Sequence, residues 1–569
     1  MAIDVTSLAN RRATDRWNRV AVGDMLERLT WSYPDQDALI GWAGAFAYPE
    51  HARVSYRRAN ALANQLANAL LAAGCAGKDR VLVVCENSVE AVIVKLGVQK
   101  AGLVVAPVNP SLAADVVEDV IQRIAPRLAI VDAEVWPRIE AAFARAGMTP
   151  AVTIPIGGEV IAGSRGLREF VAGAPDTEPD VEIHGDDICE LQFTSGTTAM
   201  PKAVMLSHVS TYFAASGYAL TLTRGVRCES ELRLCSFLPL VYHIGGQVFG
   251  LPALLSGGTL VIGRRPAADQ VASCVVRERI TALWAGSPIM VQAWIEAMQR
   301  AQLTAPQLAV IAYGWAAISP AQLAAITQLT SDRVVAVEVF GQTEAIACHR
   351  FWPHRWPEAF AAHCPQSNYV GVPSPLLASH LMAPDGSSLE GKPGVLGEAV
   401  YRSPAVMQGY YKDEAATRDA FAHGWFHSGD SCVYDQTGLR IMVDRVKDIV
   451  KTGGENVSSL RVESVLVQHP GVVRAAVIGL PDPRWGEAVT AVVMRKPGTE
   501  AEIEAETEAE IAPVSEPDLI AFCRARLAGF ETPKRVIFVE KYPETVGGKV
   551  LKHVLRAELG PDRRSCDGG

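Results

Sequence analysis

The sequence predicts an α/β protein built on a parallel sheet, followed by a small α+β unit. Three observations lead there. Short apolar, β-branched runs alternate with segments of helical period along the first part of the chain, the signature of a sheet covered by helices. Near residue 394 the pattern changes to short strands separated by Gly and Asp. After residue 444 a compact stretch reads helix, strand, helix. A chain of 569 residues, 49% hydrophobic and 20% charged, can fill a large core and more than one domain.

The elements follow in order. Residues 55–71 place Ala59, Leu62, Ala63, Leu66 and Leu70 at helical spacing, and Gly74 stops that helix. A buried strand is expected over 81–85, a helix over 89–100 ended by Gly102, and a strand over 103–108 closed by Asn109-Pro110. Further apolar strands are expected at 258–262, 282–285 and 308–312. The uncharged run 234–263 is long enough to cross a bilayer. It also holds Pro239, Pro252 and six glycines, which predicts a buried strand–turn–helix–strand instead. Beyond it, 397–402 and 439–443 read as strands, 459–468 as a helix, 475–479 as a strand and 518–527 as a helix. We place the domain boundary so that 1–443 and 444–569 are the two units. The Glu- and Ala-rich stretch 500–516 reads as a solvated insertion.

Composition excludes several classes. A net charge of -9 offers no electrostatic footprint for nucleic acid or an anionic membrane. The N-terminal segment is charged and lacks an apolar h-region, so no signal peptide is expected. Eleven cysteines form no C-x-x-C pair, which points to reduced thiols, a cytoplasmic location and no zinc site.

The stretch 193–204 is the densest in chemistry. Thr194, Ser195, Thr197 and Thr198 supply hydroxyls, Gly196 opens the backbone, and Lys202 adds an ammonium. Such a loop suits phosphate, although it lacks the Walker A spacing. Later segments add Leu238-Pro239-Leu240-Val241-Tyr242-His243, then Tyr313-Gly314-Trp315-Ala316-Ala317, then Phe340-Gly341-Gln342-Thr343-Glu344. They are followed by Trp425-Phe426-His427-Ser428-Gly429-Asp430, by Asp444-Arg445-Val446-Lys447-Asp448, by Lys451-Thr452-Gly453-Gly454-Glu455, and by Thr545-Val546-Gly547-Gly548-Lys549. A lone His or Gly in any of these would be unremarked core or turn. In this order and spacing they resemble the adenylate-forming acyl-CoA synthetases, adenylation domains and luciferases.

That resemblance implies a large N-terminal adenylate-forming domain of stacked α/β sheets plus a distorted β-barrel, and a small mobile α+β C-terminal domain hinged near Lys447. It implies ATP/AMP, CoA and Mg²⁺ as cofactors and co-substrates. Thr194 to Thr198 and Lys202 would cradle phosphates, with Thr194 and Glu344 at the metal. His243 would lie at the acyl end of the pocket. Gly314, Trp315, Ala316, Phe340, Gly341, Gln342 and Thr343 would line the nucleotide, and Asp430 and Arg445 would take the ribose. Lys549 would serve adenylation; Lys451, Gly453 and Gly454 would serve thioester formation with CoA. The expected activity is an acid–thiol ligase acting on a hydrophobic carboxylic acid.

Ala199 and Ala203 stand where the family has glycines, Trp315 where it has a small residue, and Glu531 and Gly547 depart from its pattern. Alanine is strained wherever φ is positive. The alternative reading is therefore an enzyme that only thioesterifies a preformed acyl-adenylate, supplied by a separate adenylating enzyme. A luciferase-like or non-catalytic member of the fold is a second alternative.

Overall fold

The computed structural model describes residues 19–110, 112–194, 201–239, 243–453, 455–496, 514–544 and 550–560. Three sheets organise them. The largest has 14 strands. Its centre is parallel: Arg233–Ser236, Thr259–Gly263, Ala282–Gly286, Val310–Gly314 and Val335–Gln342. Three of these, TLVIG, ALWAG and VIAYG, are buried along their whole length, as expected of strands covered on both faces. Past Val335–Gln342 the same sheet turns antiparallel through Ala345–Phe351, Asn368–Pro373, Arg440–Arg445, Trp425–Tyr434 and Gly397–Arg402.

The second sheet has 8 strands, among them Arg80–Val84, Val104–Pro107, Leu128–Asp132 and Ile188–Phe193. Helix Val89–Lys100 lies between the two sheets. Val92, Ile93 and Leu96 join the core of the larger sheet, and Val94 and Val98 join that of the smaller. Its sequence, VEAVIVKLGVQK, is apolar on nearly all sides, which only a helix buried between layers can afford. Each fully buried Val, Leu or Ile of this kind contributes about 1.5–3 kcal/mol. Serines start the helices that frame the site. Ser88 caps Val89–Lys100, Ser207 closes a capping box on His208–Leu222, and Ser319 does so with Gln322 on Pro320–Leu329.

The third sheet has 5 strands: Val450–Thr452, Glu455–Val457, Val472–Asp482, Gly486–Arg495 and Arg535–Phe538. Helices Ser459–Leu466 and Glu516–Arg524 cover one of its faces, and Lys552–Leu559 the other. The protein is thus mixed α/β, with a large N-terminal and a smaller C-terminal domain.

Most expected elements are present within two or three residues of their expected ends. The run 234–263 is strand Arg233–Ser236, helical turns Ile244–Gly250 and Leu251–Leu255, then strand Thr259–Gly263. Among the described residues no helix is long and apolar enough to cross a membrane. The strand expected at 475–479 is longer, Val472–Asp482, because it pairs along its whole length with Gly486–Arg495. The insertion read at 500–516 lies almost wholly outside the described residues.

Candidate active site

The carboxyl ends of the parallel strands converge on one region, the usual ligand-binding end of an open α/β sheet. Strand Ile188–Phe193 delivers Thr194 there, and the chain returns at Lys202 into strand Ala203–Ser207. The base of this hairpin is closed. Thr194 N–H donates to the Lys202 carbonyl at 3.0 Å, and Lys202 N–H to Thr194 Oγ1 at 3.3 Å. Ser195, Gly196, Thr197, Thr198 and Ala199 lie outside the described residues.

Ala203 corrects one expectation. It sits inside strand Ala203–Ser207 opposite Phe193, fully buried, and it is not among the described residues with positive φ. Its methyl group therefore costs no left-handed strain, and the strain argument does not hold at this position.

From Lys202 a chain of contacts runs through the candidate residues. Lys202 Nζ lies 4.5 Å from the centroid of the Tyr410 ring, a cation–π contact. The Tyr410 hydroxyl donates to Glu344 Oε1 at 2.9 Å. Next to Glu344, Thr343 Oγ1 and His243 Nδ1 share a hydrogen bond of 2.8 Å. Burial pushes the His243 imidazole down to about 4, with Lys95 adding to the shift, so the ring is neutral at physiological pH. Gln342 Nε2 donates to the Ser428 carbonyl at 3.1 Å, which ties this strand to the one carrying Asp430.

Asp430 and Arg445 are register partners on neighbouring strands. Arg445 Nε lies 2.7 Å from Asp430 Oδ1, and the Asp430 side chain is only 1% exposed. That carboxylate holds the Arg445 guanidinium firmly protonated. Lys447, two residues on, has its pKa lowered by burial and then by the Arg445 charge; Lys202 and Glu344 also act on it. The hinge candidate therefore lies at the same site.

Gly314 ends strand Val310–Gly314 with no room for a side chain, because a Cβ there would come 2.7 Å from the Val339 carbonyl oxygen. Trp315 follows with φ of 68°, rare for a bulky residue, and it is 44% exposed. Its ring meets Trp284 edge-on at 5.6 Å, and Trp284 stacks on Phe249 at 4.4 Å. Strained residues of this kind concentrate at functional sites. Ala316 continues the turn. Phe340 pairs with His349 across the sheet, and Gly341 occupies the irregularity between Phe340 and Gln342.

Lys451 lies elsewhere, on strand Val450–Thr452 of the small sheet, exposed, with its backbone N–H donating to Glu487 Oε2 at 2.7 Å. Gly453 follows with φ of 60° beside the Trp485 ring, and its N–H donates to the Trp485 carbonyl at 2.7 Å. Gly454 and Lys549 lie outside the described residues. The structure thus brings together Thr194, Lys202, His243, Gln342, Thr343, Glu344, Asp430 and Arg445, and places Lys451 and Gly453 on the smaller domain.

Sequence reasoning missed Tyr410, which joins Lys202 to Glu344. The signal was Gly409-Tyr410: Gly409 has φ of 141° and begins a two-residue strand pairing with Val204 and Met205. Among the described residues no group of three or more His, Cys, Asp or Glu could hold a metal by itself. Glu344 and Thr194 are oxygen donors, the chemistry a hard cation requires, so this pair fits Mg²⁺ bound jointly with phosphate.

A family model for AMP-binding enzymes matches residues 27–411, and one for the C-terminal domain of AMP-binding enzymes matches 461–549. Long-chain-fatty-acid–CoA ligase FadD13 of Mycobacterium tuberculosis is 32% identical over 522 residues, covering 89% of this chain and 93% of that protein. Feruloyl-CoA synthase of an Amycolatopsis species is 31% identical over 506 residues, covering 87% and 92%. Among solved structures, ATP-bound MatB from Rhodopseudomonas palustris matches with a TM-score of 0.77 at 27% identity, covering 95% of this chain and 99% of that one. A Mycobacterium tuberculosis fatty acyl CoA synthetase matches with a TM-score of 0.70 at 30% identity, covering 95% and 99%.

Proposed function

The chain belongs to the AMP-binding enzymes and is an AMP-forming acid–thiol ligase, and on that premise we propose that it converts an apolar carboxylic acid to its CoA thioester by both half-reactions. An acid carboxylate oxygen attacks the α-phosphorus of ATP and pyrophosphate leaves. The CoA thiolate then attacks the acyl carbon of the mixed anhydride and AMP leaves. One observation carries the reading: the contact chain Lys202–Tyr410–Glu344, beside Thr343–His243 and the Asp430–Arg445 pair. It gathers a cation, hard oxygen donors and a paired acceptor within reach of one nucleotide.

The roles follow from donor chemistry. The loop 194–198 and Lys202 bind the phosphates. Asp430, held in place by Arg445, accepts from both ribose hydroxyls. Gly314, Trp315, Ala316, Phe340 and Gly341 flank the base. Neutral His243, fixed by Thr343, faces the acid carboxylate without adding charge. Mg²⁺ held by Glu344 and Thr194 would offset phosphate charge. Lys549 serves the first step, and Lys451 with Gly453 and Gly454 the second. Residues 444–569 turn about Lys447 between them, a domain rotation that gates the two half-reactions. Nine free cysteines among the described residues support a reducing, cytoplasmic setting.

Ala203, lying unstrained in a strand, favours the complete ligase over a protein that accepts only preformed acyl-adenylate. The test is acid-dependent exchange of labelled pyrophosphate into ATP, with mass spectrometry of acyl-CoA from a panel of acids. Acyl-CoA formed from supplied acyl-adenylate, with no exchange for any acid, would overturn the two-step reading.

A further inference from the structure

Beside His243 the helical run Ile244–Gly250 forms one wall of a cavity between the two N-terminal sheets. Most of the wall is apolar, with Val22, Val92, Leu96, Leu251, Leu254 and Leu260. Such a wall suits the hydrocarbon body of an acid whose carboxylate lies at His243.

One part of the wall does not suit hydrocarbon. Gln247, one helical turn beyond His243, is 1% exposed, and neither its Oε1 nor its Nε2 has a hydrogen-bond partner. Facing the same cavity, Gln99 is equally buried; its Nε2 reaches Glu190 Oε2 at 3.5 Å, while its Oε1 has no partner. Lys95 Nζ lies 2.6 Å from Glu190 Oε1, an oxygen that also accepts from Gln192, and the rest of its ammonium valence is unused. A buried amide left without partners forfeits the hydrogen bonds it would make with water, so a core with no use for these groups would favour leucine at such positions.

The sign of the charge narrows the ligand. Lys95 and Glu190 offset one another, and Glu86, the other carboxylate of the lining, is paired with Arg138 at 3.4 Å. A second carboxylate on the acid would find no uncompensated cation there. A neutral oxygen would accept from Gln247 Nε2 and from Lys95, and a hydroxyl could also donate to Gln247 Oε1 or Gln99 Oε1.

We propose that this cavity receives the distal part of the acid and that Gln247, with Lys95 and Gln99, selects an otherwise apolar acid carrying a neutral oxygen substituent, a hydroxyl or keto group, far from its carboxylate. The assignment rests on the ligase reading above and specifies its substrate class.

The experiment compares matched acids along a ladder of chain lengths: plain alkanoic acids against their ω-hydroxy and keto counterparts, each with ATP and CoA. Wild type, Gln247→Met and Gln99→Leu are measured for kcat and KM. A site built to bond an oxygen rejects the analogue lacking it strongly. The expected result for wild type is a preference of about tenfold or more in kcat/KM for the oxygenated member of a pair, carried mainly by KM. Gln247→Met should abolish that preference, raising KM for the oxygenated member to that of its plain partner; Gln99→Leu, on a separate helix, should weaken it independently. Turnover of the ladder without an oxygen preference would overturn the assignment. So would a preference that both variants retain, since the amides would then be satisfied by water alone. Failure of wild type to form any acyl-CoA, from acid or from acyl-adenylate, would overturn the ligase reading and this one with it.

Discussion

Two alanines stand at glycine positions of the stretch proposed to bind phosphate, and they have different consequences. Ala203 accepts a hydrogen bond from Tyr411 N–H at 2.8 Å through its carbonyl and lies in regular strand. Glycine there should leave ATP–pyrophosphate exchange unchanged and cost stability, roughly 0.5–1 kcal/mol for Gly in a strand. Ala199 lies outside the described residues, and the sequence expectation of strain stands for it. Ala199→Gly should raise exchange by about tenfold for each 1.36 kcal/mol of backbone strain released. The two single variants, assayed side by side, separate these effects; a gain from Ala203→Gly would contradict the strand geometry. Tyr410 makes a second residue-scale prediction. Tyr410→Phe keeps the ring against Lys202 and removes only the hydroxyl that donates to Glu344. A hydrogen bond to a charged group contributes about 1.5–3 kcal/mol, so adenylation should fall about tenfold to a hundredfold. Turnover of supplied acyl-adenylate with CoA should be spared. Equal losses in both half-reactions would remove Tyr410 from the phosphate side.

At the scale of elements, helix His208–Leu222 is tied to the N-terminal segment by its first residue. His208 Nδ1 accepts from Val22 N–H at 3.1 Å, and burial pushes the imidazole from its ordinary 6.5 down to about 4. A depressed histidine pKa means the unfolded chain takes a proton that the folded one refuses. The contribution is therefore complete above pH 6.5 and is lost as pH falls towards 4, about 3 kcal/mol for the interval. His208→Gln can keep the acceptor and removes the titration. The stability difference between wild type and variant, from urea unfolding, should shift by that amount between the two ends of the window; a constant difference would show that His208 is not the group. The same scale explains what was legible. Strands such as Ala282–Gly286 were legible because burial on both faces leaves an uninterrupted apolar run. Most candidate residues were legible because they sit beside a glycine or at a strand end; His243 and Lys451 do neither and were legible only from the family resemblance. Tyr410 was not, because its role depends on a strand pairing with Val204 and Met205 about two hundred positions earlier. Lys95, Gln99 and Gln247 were also hidden. Nothing in their spacing says that two helices distant in sequence turn them towards one cavity.

For the whole molecule, the question is what moves with what. Arg556 Nη2 donates to Asp448 at 2.9 Å, and Lys552 pairs with Glu463 at 2.7 Å inside the small domain. Helix Lys552–Leu559, which follows the Lys549 loop, is thereby fastened to the residue just past the proposed hinge. Across the proposed hinge, Asp444 Oδ2 accepts from Ser459 N–H at 2.7 Å and from its hydroxyl at 2.6 Å, so this contact has to break when the small domain turns. With Asp448 fastened to helix Lys552–Leu559, a rotation at 445–447 carries that helix and strand Val450–Thr452 as one body. One body with lysines on two separate segments can present only one of them to a fixed nucleotide at a time, provided the segments face different ways. The expected outcome is a clean division. Lys451→Ala should slow the reaction of supplied acyl-adenylate with CoA while leaving acid-dependent ATP–pyrophosphate exchange near wild type. Lys549→Ala should do the reverse, losing exchange and keeping thioester formation. Both rates measured on both variants make a two-by-two comparison. If either lysine variant loses both half-reactions equally, the two segments serve one orientation and the rotation about Lys447 has no catalytic purpose.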